Sequence, residues 1–333
     1  MATVGVIIAN LGTPKSFETK DVSAYLREFL MDPYVIDLYW PLRFFLVYGI
    51  ITNFRSRKTA QNYKKIWMKG GSPLLAYSEK LVKELQKNLC DDYQVELAMR
   101  YGEPSLKNVK DRLSHCEKVI FFPQYPQYAE STVRTAIEPF KKIFAGIPFQ
   151  IVPPFYGNAH YLDAYQNLLE SHLNRLDWDH LLMSFHGLPE SHLLKADPTG
   201  SHCLKSSKCC SNSPVLEHCY RAQCYATAKG LANRLDIAKE RYSVSFQSRL
   251  GRQKWTEPYT EEMYQKLVSR GVKKLAVICP AFTVDCLETL EEISMAGRQA
   301  FLNAGGEEFH FVPCLNDEPA WVEACAQIIK EII

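Results

Sequence analysis

The chain has no hydrophobic run long enough to cross a bilayer. Its longest apolar stretch, residues 38–54, falls about a turn short of a spanning helix and is interrupted by Pro41 and Arg43. It has no charge excess. Thirty-nine Lys and Arg stand against 37 Asp and Glu, a net +2, which removes the electrostatic footprint of a nucleic-acid binder. The opening, Met1-Ala2-Thr3-Val4-Gly5-Val6-Ile7-Ile8, lacks a basic n-region and a small-residue cleavage site and reads as a first strand, not a signal peptide. The turn after that strand is poor in glycine, so no flavin or nicotinamide fingerprint is present. No segment is of low complexity. Cysteine, by contrast, is plentiful. Eleven residues with no secretory signal argue for a reducing, cytoplasmic setting, where thiols act as ligands, nucleophiles or small core residues.

What is present suits a two-domain α/β enzyme. At 333 residues the chain can fill two cores, and 47% hydrophobic with 23% charged residues is ordinary globular composition. One supersecondary plan occurs twice. Gly12-Thr13-Pro14 follows a strand over 4–10, and Gly187-Leu188-Pro189 follows a strand over 181–186. Val119-Ile120-Phe121-Phe122-Pro123 is matched by Leu275-Ala276-Val277-Ile278-Cys279-Pro280, and Phe149-Gln150-Ile151-Val152-Pro153 by Phe309-His310-Phe311-Val312-Pro313. One further strand per half is expected at 93–101 and 242–247, and closing helices at 158–173 and 317–333. Each half therefore reads as four strands alternating with helices, a doubly wound parallel sheet. Two Rossmann-like lobes, 1–157 and 158–333, are expected to flank a ligand cleft, with a cysteine-rich insert at about 200–225.

Three features carry chemistry. His186 closes an apolar strand and opens a Gly-x-Pro turn, which delivers a titratable ring to the carboxyl end of a sheet. Asp285, Glu288 and Glu292, spaced i, i+3, i+7 on an expected helix from about 285, would share one face while Leu287 and Leu290 turn inward. Acids at a helix start also complement its dipole, so this row is either a solvated N-terminus or a site for protons or a cation. Beside His186, imidazole and carboxylate oxygen without thiolate suit Fe²⁺ that must be released again. Five cysteines, Cys203, Cys209, Cys210, Cys219 and Cys224, follow C-x₅-C-C-x₈-C-x₄-C, which points to a metal site. Paired zinc knuckles are missing, and four thiolates in an irregular loop also suit an iron–sulfur cluster.

Other segments fit a flat, anionic, greasy ligand or plain structure equally. Residues 38–54 are either a buried helix or an exposed apolar lip that meets a ligand or a membrane surface. Arg55, Arg57 and Lys58 lie just beyond it. Gly70-Gly71-Ser72-Pro73 is an ordinary turn or a carboxylate cradle. The aromatics and amides of 121–128 line a cleft or cap a core.

On these residues and motifs, the chain resembles the ferrochelatases, which insert ferrous iron into a porphyrin. The resemblance rests on Asn10-Leu11-Gly12-Thr13-Pro14, Gly70-Gly71-Ser72-Pro73, Phe122-Pro123-Gln124-Tyr125-Pro126-Gln127-Tyr128, Ser184-Phe185-His186-Gly187-Leu188-Pro189, Phe246-Gln247-Ser248-Arg249 with Trp255, and the run from Pro280 through Leu290. It implies two Rossmann-like lobes around a porphyrin cleft and conversion of protoporphyrin IX to protohaem with release of two protons. Coproporphyrin III, or a more carboxylated tetrapyrrole, is the alternative substrate. His186 and Glu288 would bind iron and accept pyrrole protons, and Glu292 and Asp285 would continue the acidic row. Leu11, Arg55, Ser72, Tyr128 and Trp255 would contact the porphyrin. Many members carry histidine where Cys286 stands. The resemblance to bacterial members with an internal cluster implies a [2Fe–2S] group on four of the five cysteines, and the lip implies peripheral contact with the inner face of the membrane.

Overall fold

The computed structural model of the protein describes residues 3–251 and 253–332, so Met1 and Ala2, and Ile333 at the expected end of the last helix, lie outside the described residues. Eight strands form two four-stranded sheets. The first is ordered β2-β1-β3-β4, from β1 (Val4–Gly12), β2 (Tyr93–Tyr101), β3 (Lys118–Pro123) and β4 (Phe149–Ile151). The second is ordered β6-β5-β7-β8, from β5 (His180–His186), β6 (Tyr242–Gln247), β7 (Lys274–Ile278) and β8 (Glu308–Phe311). Every pairing is parallel. Strand for strand, the two orders are the same, as the internal repeat predicts.

The strands form because central parallel strands are covered on both faces and so need near-continuous apolar sequence. In β5, Leu181, Leu182, Met183 and Phe185 are fully buried, and in β1 Val6, Ile7 and Ile8 are too. The chain leaves β5 to one side for β6 and returns on the other side as β7. That reversal opens a crevice at the carboxyl ends of β5 and β7, the place where open α/β sheets bind ligands. One compact unit holds the described residues up to Gln124, Glu130–Pro153 and the chain from Cys325 on; the other holds Tyr125–Ala129 and Pro154–Ala324.

One expectation is corrected, and one left open is resolved. The acidic segment does not enter an α-helix near Asp285; it forms a π-helix over Glu288–Gly297. Its i→i+5 bonding widens the turn, and the residues that it buries are Thr289, Ile293 and Gly297, while Leu287 and Leu290 stay half-exposed. A shorter π-helix, Glu130–Arg134, follows β3 at the corresponding place in the first unit, so the repeat extends to this uncommon feature. The apolar stretch, for which the sequence leaves two outcomes, takes the exposed one. It runs through the helix Trp40–Phe44, a π-helix Phe45–Ile51 and the helix Thr52–Ile66. Tyr39, Trp40, Leu42, Phe45 and Phe54 all lie more than half exposed. Arg43, an interruption on the sequence pattern, is buried and donates to the carbonyls of Ile36 and Leu38 at 3.2 Å each, pinning the base of the lip.

Candidate active site

His186 is the last residue of β5 and is half-buried. A carbonyl oxygen can only accept, so the 2.6 Å contact between His186 Nδ1 and the Gly187 carbonyl fixes the proton on Nδ1 and leaves Nε2 as the basic nitrogen. The ring lies edge-on to Phe282, with centroids 6.2 Å apart. Gly187 is required here for space: a Cβ would stand 2.8 Å from the Gln247 carbonyl and 3.3 Å from the Trp255 ring. Trp255 is itself buried, and its indole N–H donates to the Leu250 carbonyl at 2.9 Å.

Gln247 joins the pieces. Its backbone carbonyl accepts from Gly187 N–H at 2.8 Å, and its side-chain Nε2 donates to the Glu288 carbonyl at 2.8 Å. Its Oε1 accepts from Ser184 Oγ at 2.7 Å. One buried amide thus fastens the strand that bears His186 to the first residue of the π-helix. Next to it, Ser248 sits at φ 67°, a left-handed conformation uncommon outside glycine. In that conformation its N–H and hydroxyl both reach the Glu292 carboxylate, at 2.7 and 2.6 Å. Sequence reasoning assigns no role to Gln247 or Ser248. The signal is their place at the end of β6 and just beyond it, beside a strand ending in histidine.

Burial pushes the Glu292 carboxyl above the ordinary carboxylate range; the Ser248 hydrogen bonds and the nearby His186 pull it down, and the Glu288 charge pushes it up again. His186, Glu288 and Glu292 therefore share one electrostatic neighbourhood. Cys286 is buried, and burial together with the nearby Glu288 charge pushes its thiol well above the ordinary range. A neutral thiol thus stands beside Glu288.

Asp285 does not join the row, which corrects the expected face of three acids. It precedes the π-helix, is 2% exposed, and accepts from Thr289 Oγ1 at 2.8 Å, Asn316 Nδ2 at 2.8 Å and Cys314 N–H at 3.2 Å. Three donors make it a brace between the loops that follow β7 and β8. Among the remaining expected contacts, Ser72 is buried and caps the helix Pro73–Asn88 by accepting from Leu75 N–H. Leu11 is half-buried near the end of β1, Arg55 is exposed on Thr52–Ile66, and Tyr128 gives its N–H to Gln223 Oε1 at 2.6 Å.

The cysteine segment gathers four thiols. Cys219 is the N-cap residue of the helix Tyr220–Arg234 and packs with Cys203 and Cys210, while Cys209 Sγ lies 3.9 Å from Cys210 Sγ. Donation from Cys210, N–H groups of the first helical turn and Cys203 hold the Cys219 thiol down at about 6, against its burial. Asp197 orders the loop by accepting from the N–H groups of Thr199, His202 and Cys203. Cys224 is fully buried and bonded to Tyr220 instead. Among the described residues, no group of three or more His, Cys, Asp or Glu side chains stands at metal-holding geometry.

A family model described as "Ferrochelatase" matches residues 3–332. The chain belongs to the ferrochelatase family. Its activity is the family's, a lyase reaction that joins ferrous iron to a porphyrin. It is 48% identical to the ferrochelatase of Azotobacter vinelandii, with 99% of each chain covered, and 50% identical to that of Ectopseudomonas mendocina, with 97% of this chain and 96% of the relative covered. Among solved structures it is similar to SirB from Bacillus subtilis with Fe3+, at a TM-score of 0.55 and 9% identity over 100% of this chain and 96% of that one. That likeness concerns the fold.

The raised Glu292 carboxyl sets a pH dependence. The folded state holds this proton more tightly than the unfolded chain, so stability falls as pH rises from the ordinary value of 4.5 through the folded one. Glu292→Gln is expected to flatten that part of the melting-temperature profile and to raise the midpoint at pH 7. An unchanged profile would mean that the carboxylate carries no burial penalty.

Proposed function

We propose that this ferrochelatase works on protoporphyrin IX, with His186 and Glu288 as its catalytic pair. The observation that carries the reading is the Gln247 amide, which holds the β5 terminus and the start of the π-helix at one crevice. A free porphyrin carries two inward N–H protons, and metal enters only as both leave. His186, with Nε2 basic, accepts the first proton. Glu288 and Glu292 draw the ferrous ion and offset the charge that builds as the second proton is displaced. Ruffling of the macrocycle exposes a nitrogen lone pair to one face, strain supplied by binding elsewhere on the ring. Leu11, Arg55, Ser72, Tyr128 and Trp255 are the porphyrin contacts of this proposal, and Asp285 serves it as a brace. Protons and iron balance with no redox step: Fe²⁺ and a dianion-forming porphyrin give the metalloporphyrin and two H⁺.

His186→Ala is expected to lower kcat by about 10²- to 10⁴-fold while protoporphyrin still binds. Glu288→Gln should also reduce turnover more than binding. Normal kcat in His186→Ala, followed by haem absorbance, would end the assignment. Faster turnover of coproporphyrin III in the same assay would replace the substrate.

The cysteine segment supports a [2Fe–2S] cluster by the chemistry of its donors. Cys203, Cys209, Cys210 and Cys219 come together, one of them biased to thiolate, the ligating form. Such a cluster supplies one-electron chemistry, which iron insertion does not use. Anaerobically purified protein is expected to show the visible absorbance of a [2Fe–2S] centre and, on dithionite reduction, its EPR signal. Two irons per chain lost in Cys219→Ser fits the reading, and zinc alone overturns it.

The lip supports peripheral membrane contact. Trp40, Phe44 and Tyr48 stack in a ladder with centroids 5.4 and 4.5 Å apart, beside the basic Arg55, Arg57 and Lys58. No helix among the described residues is long and apolar enough to cross a membrane. Sedimentation with phosphatidylglycerol vesicles is expected to capture the protein and to release the Phe45→Glu variant. Equal capture of both would rule out the lip as the contact.

A further inference from the structure

The peptide plane between His186 and Gly187 is held from two sides. A peptide unit is planar, so its N–H and C=O cannot turn independently. The Gly187 N–H is fixed by the Gln247 carbonyl at 2.8 Å. The His186 carbonyl accepts from the hydroxyl of Tyr220, also at 2.8 Å. The His186 Cα, from which the ring hangs, lies in that plane, and the Gly187 carbonyl of the next peptide unit receives the imidazole Nδ1–H. Tilting the plane therefore tilts the ring.

Tyr220 is an unusual anchor because of where it stands. It is the first residue of the helix Tyr220–Arg234, directly after the N-cap residue Cys219, whose thiol packs with Cys203 and Cys210. It is 6% exposed, and the fully buried Cys224 lies one turn further along the helix. A hydroxyl has one proton. In Tyr220 that proton goes to the His186 carbonyl. The helix start thus fixes a thiol knot on one side and the imidazole-bearing peptide on the other. A buried tyrosine whose hydroxyl is satisfied by a backbone carbonyl also occurs as plain core structure. The difference lies in what its removal moves.

We propose that Tyr220 is a positioning residue that transmits the state of the Cys203–Cys210–Cys219 knot to the aim of His186. This rests on the reading of His186 as the proton acceptor. An intact knot seats the first turn of the helix and holds the hydroxyl against the carbonyl. A knot that opens, or loses what it binds, withdraws the hydroxyl and lets the peptide rock on its single remaining bond. Metal insertion then slows while the porphyrin surface is untouched.

The test compares wild type with Tyr220→Phe, Cys219→Ser, the double variant and His186→Ala. Readouts are kcat and KM for protoporphyrin, the pH profile of kcat, and amide hydrogen exchange of the peptide spanning 181–188. Tyr220→Phe is expected to lower kcat about tenfold, the usual effect of losing a partner that orients a working histidine. It should displace the basic limb of the pH profile, change KM by less than about twofold, and speed exchange at Gly187 and Leu188. Cys219→Ser should speed the same amides in the wild-type background and add nothing to Tyr220→Phe, since both act through one contact. Wild-type kcat and exchange in Tyr220→Phe would overturn the proposal, as would effects of the two substitutions that simply add. Should Tyr220→Phe fail to fold, Cys219→Ser alone decides through exchange at Gly187. A His186→Ala enzyme with full activity would instead remove the catalytic reading and leave the exchange result standing.

Discussion

The second half of the molecule depends on one buried amide. Gln247 lies at the end of an outer strand, yet it accepts from the turn after His186, donates to the first residue of the acidic helix, and receives Ser184 from within the neighbouring strand. An unmade hydrogen bond in such a buried place costs about 1–3 kcal/mol. Each of the three bonds therefore penalises any arrangement that separates the imidazole from the carboxylates. In the mechanism we propose, fixed spacing between proton acceptor and acid is what metal insertion needs, because protons leave and a cation enters at one small locus. The protein achieves it by crossing strand ends with an amide, so the two chemical groups need not touch.

Electrostatics is arranged around that spacing. Glu292 is held by a serine whose backbone adopts an unfavourable turn to bring two donors onto one carboxylate. Strain of this kind persists where surrounding contacts outweigh it, and it clusters at working sites. Asp285 carries the opposite assignment. Its three donors immobilise it, and it holds the loop from which the acidic helix starts. In the proposed mechanism, two acids only a few residues apart are thus divided between chemistry and support.

Much of this is legible in the sequence. Parallel strands covered on both faces must be apolar almost throughout, and that makes all eight visible, with matching prolines and offsets exposing the repeat. The carboxyl-end rule places His186 and the acidic segment together from residue order alone. The failures have physical causes. The i, i+3, i+7 argument assumes α-helical periodicity, and π-helical widening is not encoded in a hydrophobic pattern. Asp285 looks identical to its neighbours because the asparagine that claims it, Asn316, lies 31 residues away, beyond the next strand. Gln247 and Ser248 escape because an amide and a hydroxyl carry no periodic signal; only the fold shows what they face. The lip is open to two readings because burial of a helix by other parts of the chain cannot be judged from the helix alone.

The wide acidic helix also sets a rule about length. A π-helix is an α-helix that has absorbed surplus backbone, so its register records how many residues it contains as well as which ones. Deleting a single position between Glu288 and Gly297 would remove that surplus, so residues inside the segment would turn by roughly 100° from their present contacts while the chain beyond it kept its place. Glu292 would swing off its serine even though every remaining side chain was unaltered. Substitutions in this stretch can be absorbed one at a time, whereas a change in residue count cannot, and the matching turn after β3 places the same arithmetic on the other sheet.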